Sequence, residues 1–224
     1  MKKILLLGLM FSLFTIVKAQ KGTDIFHYGT KGEVVASTAF IAQNMMPWRN
    51  DIVAVPYKTC NINSENGDSS YKINLQTFNY PDIENSFGCI QISNARNDSI
   101  LLTLKNLEVW VNTKFWSNNK TDNDFIPIHL SEGTIALVFT GWSYNSTPPL
   151  TTIVILKDGK ATLVFNKYCN ILDFQQDASH FSFTYANEFQ EYSGKDNKFQ
   201  PSDKDLKKFK VWKEGNMLKY APLN

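Results

Sequence analysis

The apolar positions of this chain recur mostly at every second residue, the period of a strand with one face buried. Tyr71-Lys-Ile-Asn-Leu-Gln-Thr alternates in this way, and His180-Phe-Ser-Phe-Thr-Tyr puts Phe181, Phe183 and Tyr185 on one face. In the segment from Ile100 to Val111 the apolar parity changes midway. Ile100, Leu102 and Leu104 share one parity, while Leu107, Val109 and Val111 share the other. Both sets can face one core only with an extra residue near Lys105-Asn106, which predicts a bulge or turn there.

Two runs are apolar without alternation, Ile135-Ala-Leu-Val-Phe and Ile153-Val-Ile-Leu. Strands of that composition are buried on both faces, so these two are expected to be central and covered on each side. The stretch between them, Gly141-Trp-Ser-Tyr-Asn-Ser-Thr-Pro-Pro, reads as a loop by composition. Asp158-Gly159 separates the second run from Ala161-Thr-Leu-Val-Phe and predicts a type I′ hairpin, whose turn residues need positive φ. Lys210-Val-Trp-Lys-Glu-Gly-Asn-Met-Leu-Lys-Tyr repeats the arrangement near the C-terminus.

Helix signals are scarce. Val35, Ala39, Ala42 and Met46 fall on one helical face ahead of Pro47, so one helix is expected within Glu33 to Met46. Asn61–Ser70, Trp116–Asp124 and Ser193–Asp205 are polar loops by composition. The fold expected is therefore all-β or β-dominated, an antiparallel sandwich-like single domain with at most one or two short helices. The shared Lys-(Asp/Glu)-Gly turn of the two hairpins suggests a short-bladed β-propeller as the alternative.

The N-terminus changes the reading of charge. Met1-Lys2-Lys3, the apolar run Ile4 to Val17 and Val17-Lys18-Ala19 have the layout of a cleavable export signal over residues 1–19, leaving 20–224 as the β-rich domain. Of 23 basic side chains, Lys2, Lys3 and Lys18 leave with it, so 20 remain against 21 acidic ones, a net of −1. A nucleic-acid partner loses its main support, and no stable membrane insertion is expected after cleavage. The compartment is periplasmic or extracellular. Oxidising conditions there predict a Cys60–Cys89 disulfide with Cys169 left over, the alternative being three buried thiols.

Catalytic and ligand motifs are missing. His27, His129 and His180 stand apart, and no zinc spacing, phosphate loop or nucleophile elbow is present, so no metal or cofactor is expected. Asn61–Asp68 and Asp122-Asn123-Asp124 resemble calcium loops only in their oxygen content, and Asx turns account for both. Glu84, Glu108, Glu132 and Glu188 lie on or beside predicted strands, where a fold could pair two as in a glycosidase.

Aromatic residues make up 13% of the chain, enough to supply both core and surface. Trp116, Trp142 and Tyr144 sit in loop contexts and are the candidate ligand-binding residues. From Lys195 to Lys219 eight lysines face four acids, a pattern that protects sheet edges or meets an anionic surface. The reading is an exported, non-catalytic protein that binds a protein or glycan partner through aromatic loops. The alternative is a secreted hydrolase acting on glycans with carboxylates assembled by the fold.

Overall fold

The structure is a computed structural model and describes residues 23–28, 34–36, 54–78, 86–111, 124–143, 146–186, 191–193, 198–200, 206–215 and 217–223. In chain order the strands are β1 (Thr23–Tyr28), β2 (Val34–Ala36), β3 (Ala54–Asn63), β4 (Ser70–Phe78), β5 (Ser86–Asn94), β6 (Ile100–Val111), β7 (Ile126–Leu130) and β8 (Thr134–Ser143). They continue with β9 (Ser146–Lys157), β10 (Lys160–Tyr168), β11 (Asn170–Gln176), β12 (His180–Ala186), β13 (Glu191–Ser193), β14 (Lys198–Gln200), β15 (Leu206–Glu214) and β16 (Met217–Leu223). No helix occurs among the described residues.

Three sheets stack as layers. The middle sheet runs β10-β9-β8-β7, with β3-β4-β5-β6 against one face and the six-stranded sheet β11-β12-β15-β16-β1-β2 against the other. Strands β8 and β9 are the central pair of the middle sheet, and their side chains divide by parity. Ala136, Val138, Ile153 and Ile155 pack on Phe181, Phe183, Tyr185, Phe209 and Val211 of the six-stranded sheet. Ile135, Leu137, Phe139, Val154 and Leu156 pack on Tyr71, Ile73, Leu75, Ile90 and Ile92 of the other outer sheet. The absence of alternation in both runs follows directly, because every position faces a core.

Aromatic rings fill much of the gap between the middle and six-stranded sheets. Phe165 meets Phe183, Tyr185 and Phe209 edge-on at centroid distances of 5.2, 5.3 and 4.9 Å, the geometry favoured by ring quadrupoles. Two interlayer cores therefore absorb aromatic residues that the composition alone offers to the surface.

Local signals explain most of the strand ends. Asp158 and Gly159 have φ of 46° and 72°, and Lys157 pairs with Lys160 across them, the two-residue hairpin expected from Asp-Gly. A register shift falls at the parity change in β6, and a second one, at Leu101, turns Ile100 out to solvent instead of into the core with Leu104. Lys105 pairs with Cys89 and Trp110 with Phe87, so Asn106 to Val109 lie opposite Gly88 alone.

Three expectations are corrected. Val34–Ala36 form β2, paired with β1, rather than the start of a helix; two β-branched residues in three favour the extended chain. The rest of that helix expectation lies outside the described residues, as do the expected export signal and most of the Trp116–Asp124 loop. Of the stretch read as a loop from Gly141 to Pro149, residues 141–143 belong to β8 and 146–149 to β9, which meet at the pair Ser143 and Ser146, and 144–145 lie outside the described residues. Between that pair and Gly141–Leu150, Thr147, Pro148 and Pro149 lie opposite Trp142 alone. A bulge is where proline does least harm to a sheet, having no N–H to give. The propeller alternative fails because the sheets are layered face to face with the middle one shared.

The doubly covered middle sheet predicts where substitutions hurt. Phe139→Ala removes a ring with no exposed surface and is expected to cost about 3–5 kcal/mol. Ile100→Ala, at a side chain 62% exposed, should change stability by less than about 0.5 kcal/mol. Urea unfolding of the two variants measures the contrast, and equal losses would contradict the layering.

Candidate functional site

The outer face of the six-stranded sheet carries polar side chains in register, exposed at Asp173 and Gln175, half-buried along β15 and buried at Ser182. Along β15, Phe209 and Val211 point inward, opposite Phe183 and Phe181 of β12, so Lys208, Lys210 and Trp212 point outward. Three cross-strand rows result. Asp173, Thr184 and Lys208 form the first, Gln175, Ser182, Lys210 and Ala221 the second, and His180, Trp212 and Lys219 the third. Trp212 is partly exposed, and the Lys210 ammonium lies 5.8 Å from its ring centroid, within cation–π range.

Neighbours order this face. The Gln175 amide donates to Asp173 Oδ2 at 3.3 Å, and Lys219 Nζ lies 2.6 Å from Glu214 Oε2 across the β15–β16 turn. His180 Nδ1 is 2.6 Å from Asp177 Oδ2 at the lip of the sheet. Asp177 also accepts from the Ser179 backbone N–H and hydroxyl and the His180 backbone N–H, which holds its carboxyl down to about 2. The result is a mosaic of amide, hydroxyl, carboxylate and ammonium groups around one indole.

The candidate ligand residues named from sequence fall largely outside the described residues. Trp142 lies in β8 rather than in a loop, and Trp116 and Tyr144 lie outside the described residues. Trp212 was not singled out, although a signal existed. Its place one residue after Val211, in alternation with Phe209, puts it on the face opposite the core.

Two polar clusters lie between the layers. On β3, Pro56 pairs with Gln76 and Lys58 with Leu75, so Tyr57 is an inserted residue. That bulge lets adjacent side chains reach one carboxylate. The Tyr57 hydroxyl donates to Asp124 Oδ1 at 3.3 Å, and Lys58 Nζ stands 3.2 Å from Oδ2. Asp124 is 2% exposed, and its Oδ2 makes no aligned hydrogen bond, so the Lys58 contact is an ion contact.

The second cluster closes one end of the stack. Glu132, in the turn between β7 and β8, bonds to Lys213 of β15 and lies 3.6 Å from Lys157 of β9. Lys157, 5% exposed, also reaches the Thr134 hydroxyl at 3.3 Å. The Lys213 hydrogen bond, then the charges of Lys213 and Lys157, hold the Glu132 carboxyl below its usual range. Glu132 is the one member of the expected acid set whose side chain is described. A carboxylate held ionised by two ammonium groups is a poor proton donor, which gives the hydrolase reading no support here.

Cys60, Cys89 and Cys169 are free thiols, so the expected Cys60–Cys89 disulfide is not formed. Cys60 pairs with Ile73 and Cys89 with Gln76 on opposite edges of β4. A whole strand separates them, roughly 10 Å laterally, and the offset of three positions along β4 adds about as much along the strand, roughly 14 Å in all; the odd offset also turns their side chains to opposite faces. A disulfide needs Cα atoms within about 7 Å. The polar Asn61–Asp68 stretch is the β3–β4 hairpin end, where the Asn66 amide donates to Asp68 Oδ2 at 2.7 Å.

No family model, curated protein or solved structure matches this chain.

Two predictions follow from these clusters. Glu132 has a depressed folded pKa, so its contribution is present above the ordinary carboxylate range and is lost as pH falls through its folded value. Glu132→Gln should flatten that part of the acid limb and, because the carboxylate is 47% exposed and screened by solvent, lower stability at neutral pH by no more than about 1 kcal/mol. Thermal melts between about pH 2 and 7 measure both, and an unchanged acid limb would sink the assignment. Burial pushes the Cys169 thiol up to about 12 and also raises Cys89 and Cys60. Thiol reagents applied to the folded protein should modify partly exposed Cys60 first and Cys169 last, with all three reacting in denaturant. Prompt native-state labelling of Cys169 would contradict its placement.

Proposed function

We propose that this is an exported, non-catalytic binding protein that engages a glycan through the outer face of the six-stranded sheet. One observation carries the reading: Trp212 stands partly exposed on the solvent side of a strand whose other side is core, ringed by Lys210, His180 and Lys219. An indole face stacks on the C–H face of a sugar ring, while amide, hydroxyl and carboxylate groups bond to its hydroxyls. Thr184, Gln175 and Asp173, partly or fully exposed, supply those groups in adjacent rows. A sheet face suits a polymer better than a small metabolite, which favours an enclosed pocket. The export pattern at the N-terminus supports a partner outside the cytoplasm. The aromatic contribution expected from loops is thereby reassigned to a sheet.

A broad glycan array probed with the purified protein and with Trp212→Ala tests the reading. The wild type should bind at least one glycan class, and the variant should lose about tenfold in affinity, the equivalent of about 1.4 kcal/mol. Binding that survives the substitution unchanged would refute the assignment of this face.

A further inference from the structure

Resting on that glycan reading, we infer that the ligand is an acidic polysaccharide whose anionic groups are held by Lys208 and Lys210 beside the Trp212 ring. The two lysines are two residues apart on one face of β15, hence about 7 Å apart along the strand. Neither has a carboxylate within ion-pair distance among the described residues, whereas Lys219 is matched by Glu214 at 2.6 Å. Asp173 shares the row of Lys208 but sits two strands away, about 10 Å, with its carboxylate engaged by Gln175.

The ordinary explanation for lysines on a sheet does not reach these two. Lysine protects edge strands, whose free N–H and C=O groups invite pairing with another chain. Strand β15 lies between β12 and β16, with both edges already paired. Its lysines guard no open edge. Lys208 has Thr184 and Leu223 as cross-strand neighbours and Lys210 has Ser182 and Ala221, none of them acidic, and both lysines are partly exposed. Two like charges held in one row direction repel mildly, a cost that a polymer with regularly spaced carboxylates would reverse. The positive pair also contrasts with the net charge of −1 left after signal removal, so the charge is a local feature rather than a consequence of composition.

Biolayer interferometry of the purified protein on immobilised polygalacturonate provides the test, with neutral dextran and a single-stranded DNA oligonucleotide as comparisons. Polygalacturonate should bind and dextran should not, and affinity should fall about tenfold between about 50 and 500 mM salt as the charges are screened. The double variant Lys208→Gln/Lys210→Gln should lose about tenfold. Lys160→Gln, at an exposed lysine on β10, should match the wild type, and equal melting temperatures confirm that all variants fold. Dextran bound as tightly as polygalacturonate, with the double variant unchanged, would overturn the inference while leaving the glycan reading intact. Oligonucleotide bound as tightly as polygalacturonate would overturn it in favour of polyanion binding without sugar recognition. Failure to bind any glycan here or on the array would remove both readings together.

Discussion

The double burial of β8 and β9 is the constraint on which the rest of the structure depends. Ile135 to Phe139 and Ile153 to Leu156 have no exposed surface, so each residue of either strand needs a partner above or below the sheet. A two-layer sandwich can cover only one face of a sheet. Two outer sheets are therefore required, and each must offer an apolar face of matching parity. Tyr71, Ile73 and Leu75 meet that need on β4, and Phe181, Phe183 and Tyr185 meet it on β12. The outward faces of those sheets are then left for polar residues, including the rows around Trp212.

Layers that pack by apolar contact alone could slide, and the turns at one end oppose this. Ser131 N–H donates to the Ala178 carbonyl at 2.7 Å, tying the β7–β8 turn to the six-stranded sheet. A Cβ on Gly133 would come within 2.8 Å of the Asn66 side chain, so the same turn also touches the β3–β4 hairpin. Glu132 and Gly133 both adopt left-handed φ, 58° and 68°. Strain at Glu132 is offset by its bonds to Lys213 and Lys157, which join the middle and six-stranded sheets. Near the opposite outer sheet, the Gly159 N–H donates to the Tyr71 hydroxyl at 3.1 Å. Tight turns thus pin what the cores only press together.

Much of this was legible as parity. The faces of β4 and β12, the burial of β8 and β9, the Asp-Gly turn and the bulge in β6 all express local period or turn chemistry, which sequence carries directly. What was not legible depends on register between distant segments. Cys60 and Cys89 flank the same hairpin in sequence, but strand β4 stands between them. Pro148-Pro149 signals a loop by composition, yet three residues opposite one give the prolines a place inside β9. Val34–Ala36 could satisfy a helical face or a strand, and pairing with β1 decided it. Trp212 was hidden for another reason. Its parity was readable, but loops attract attention as binding sites, and a sheet face does not announce itself.

The distribution of aromatic residues links architecture to chemistry. Phe125, Phe139, Phe181, Phe183, Tyr71 and Tyr185 are among the largest fully buried side chains, so high aromatic content is first a consequence of filling two interlayer gaps. Against that background an aromatic residue carries functional information only where parity sends it away from a core. Trp212 meets that condition on a central strand, where neither edge protection nor core filling explains an indole. Lys208 and Lys210 meet the analogous condition for charge, since a central strand has no open edge for them to guard. The two arguments rest on different properties, an indole on the solvent side and ammonium groups without a carboxylate partner, and the Lys210 ammonium 5.8 Å from the Trp212 ring joins them. They converge on the same face of β15, and that convergence distinguishes it from the clasped carboxylates of Asp124 and Glu132, whose neighbours already account for them.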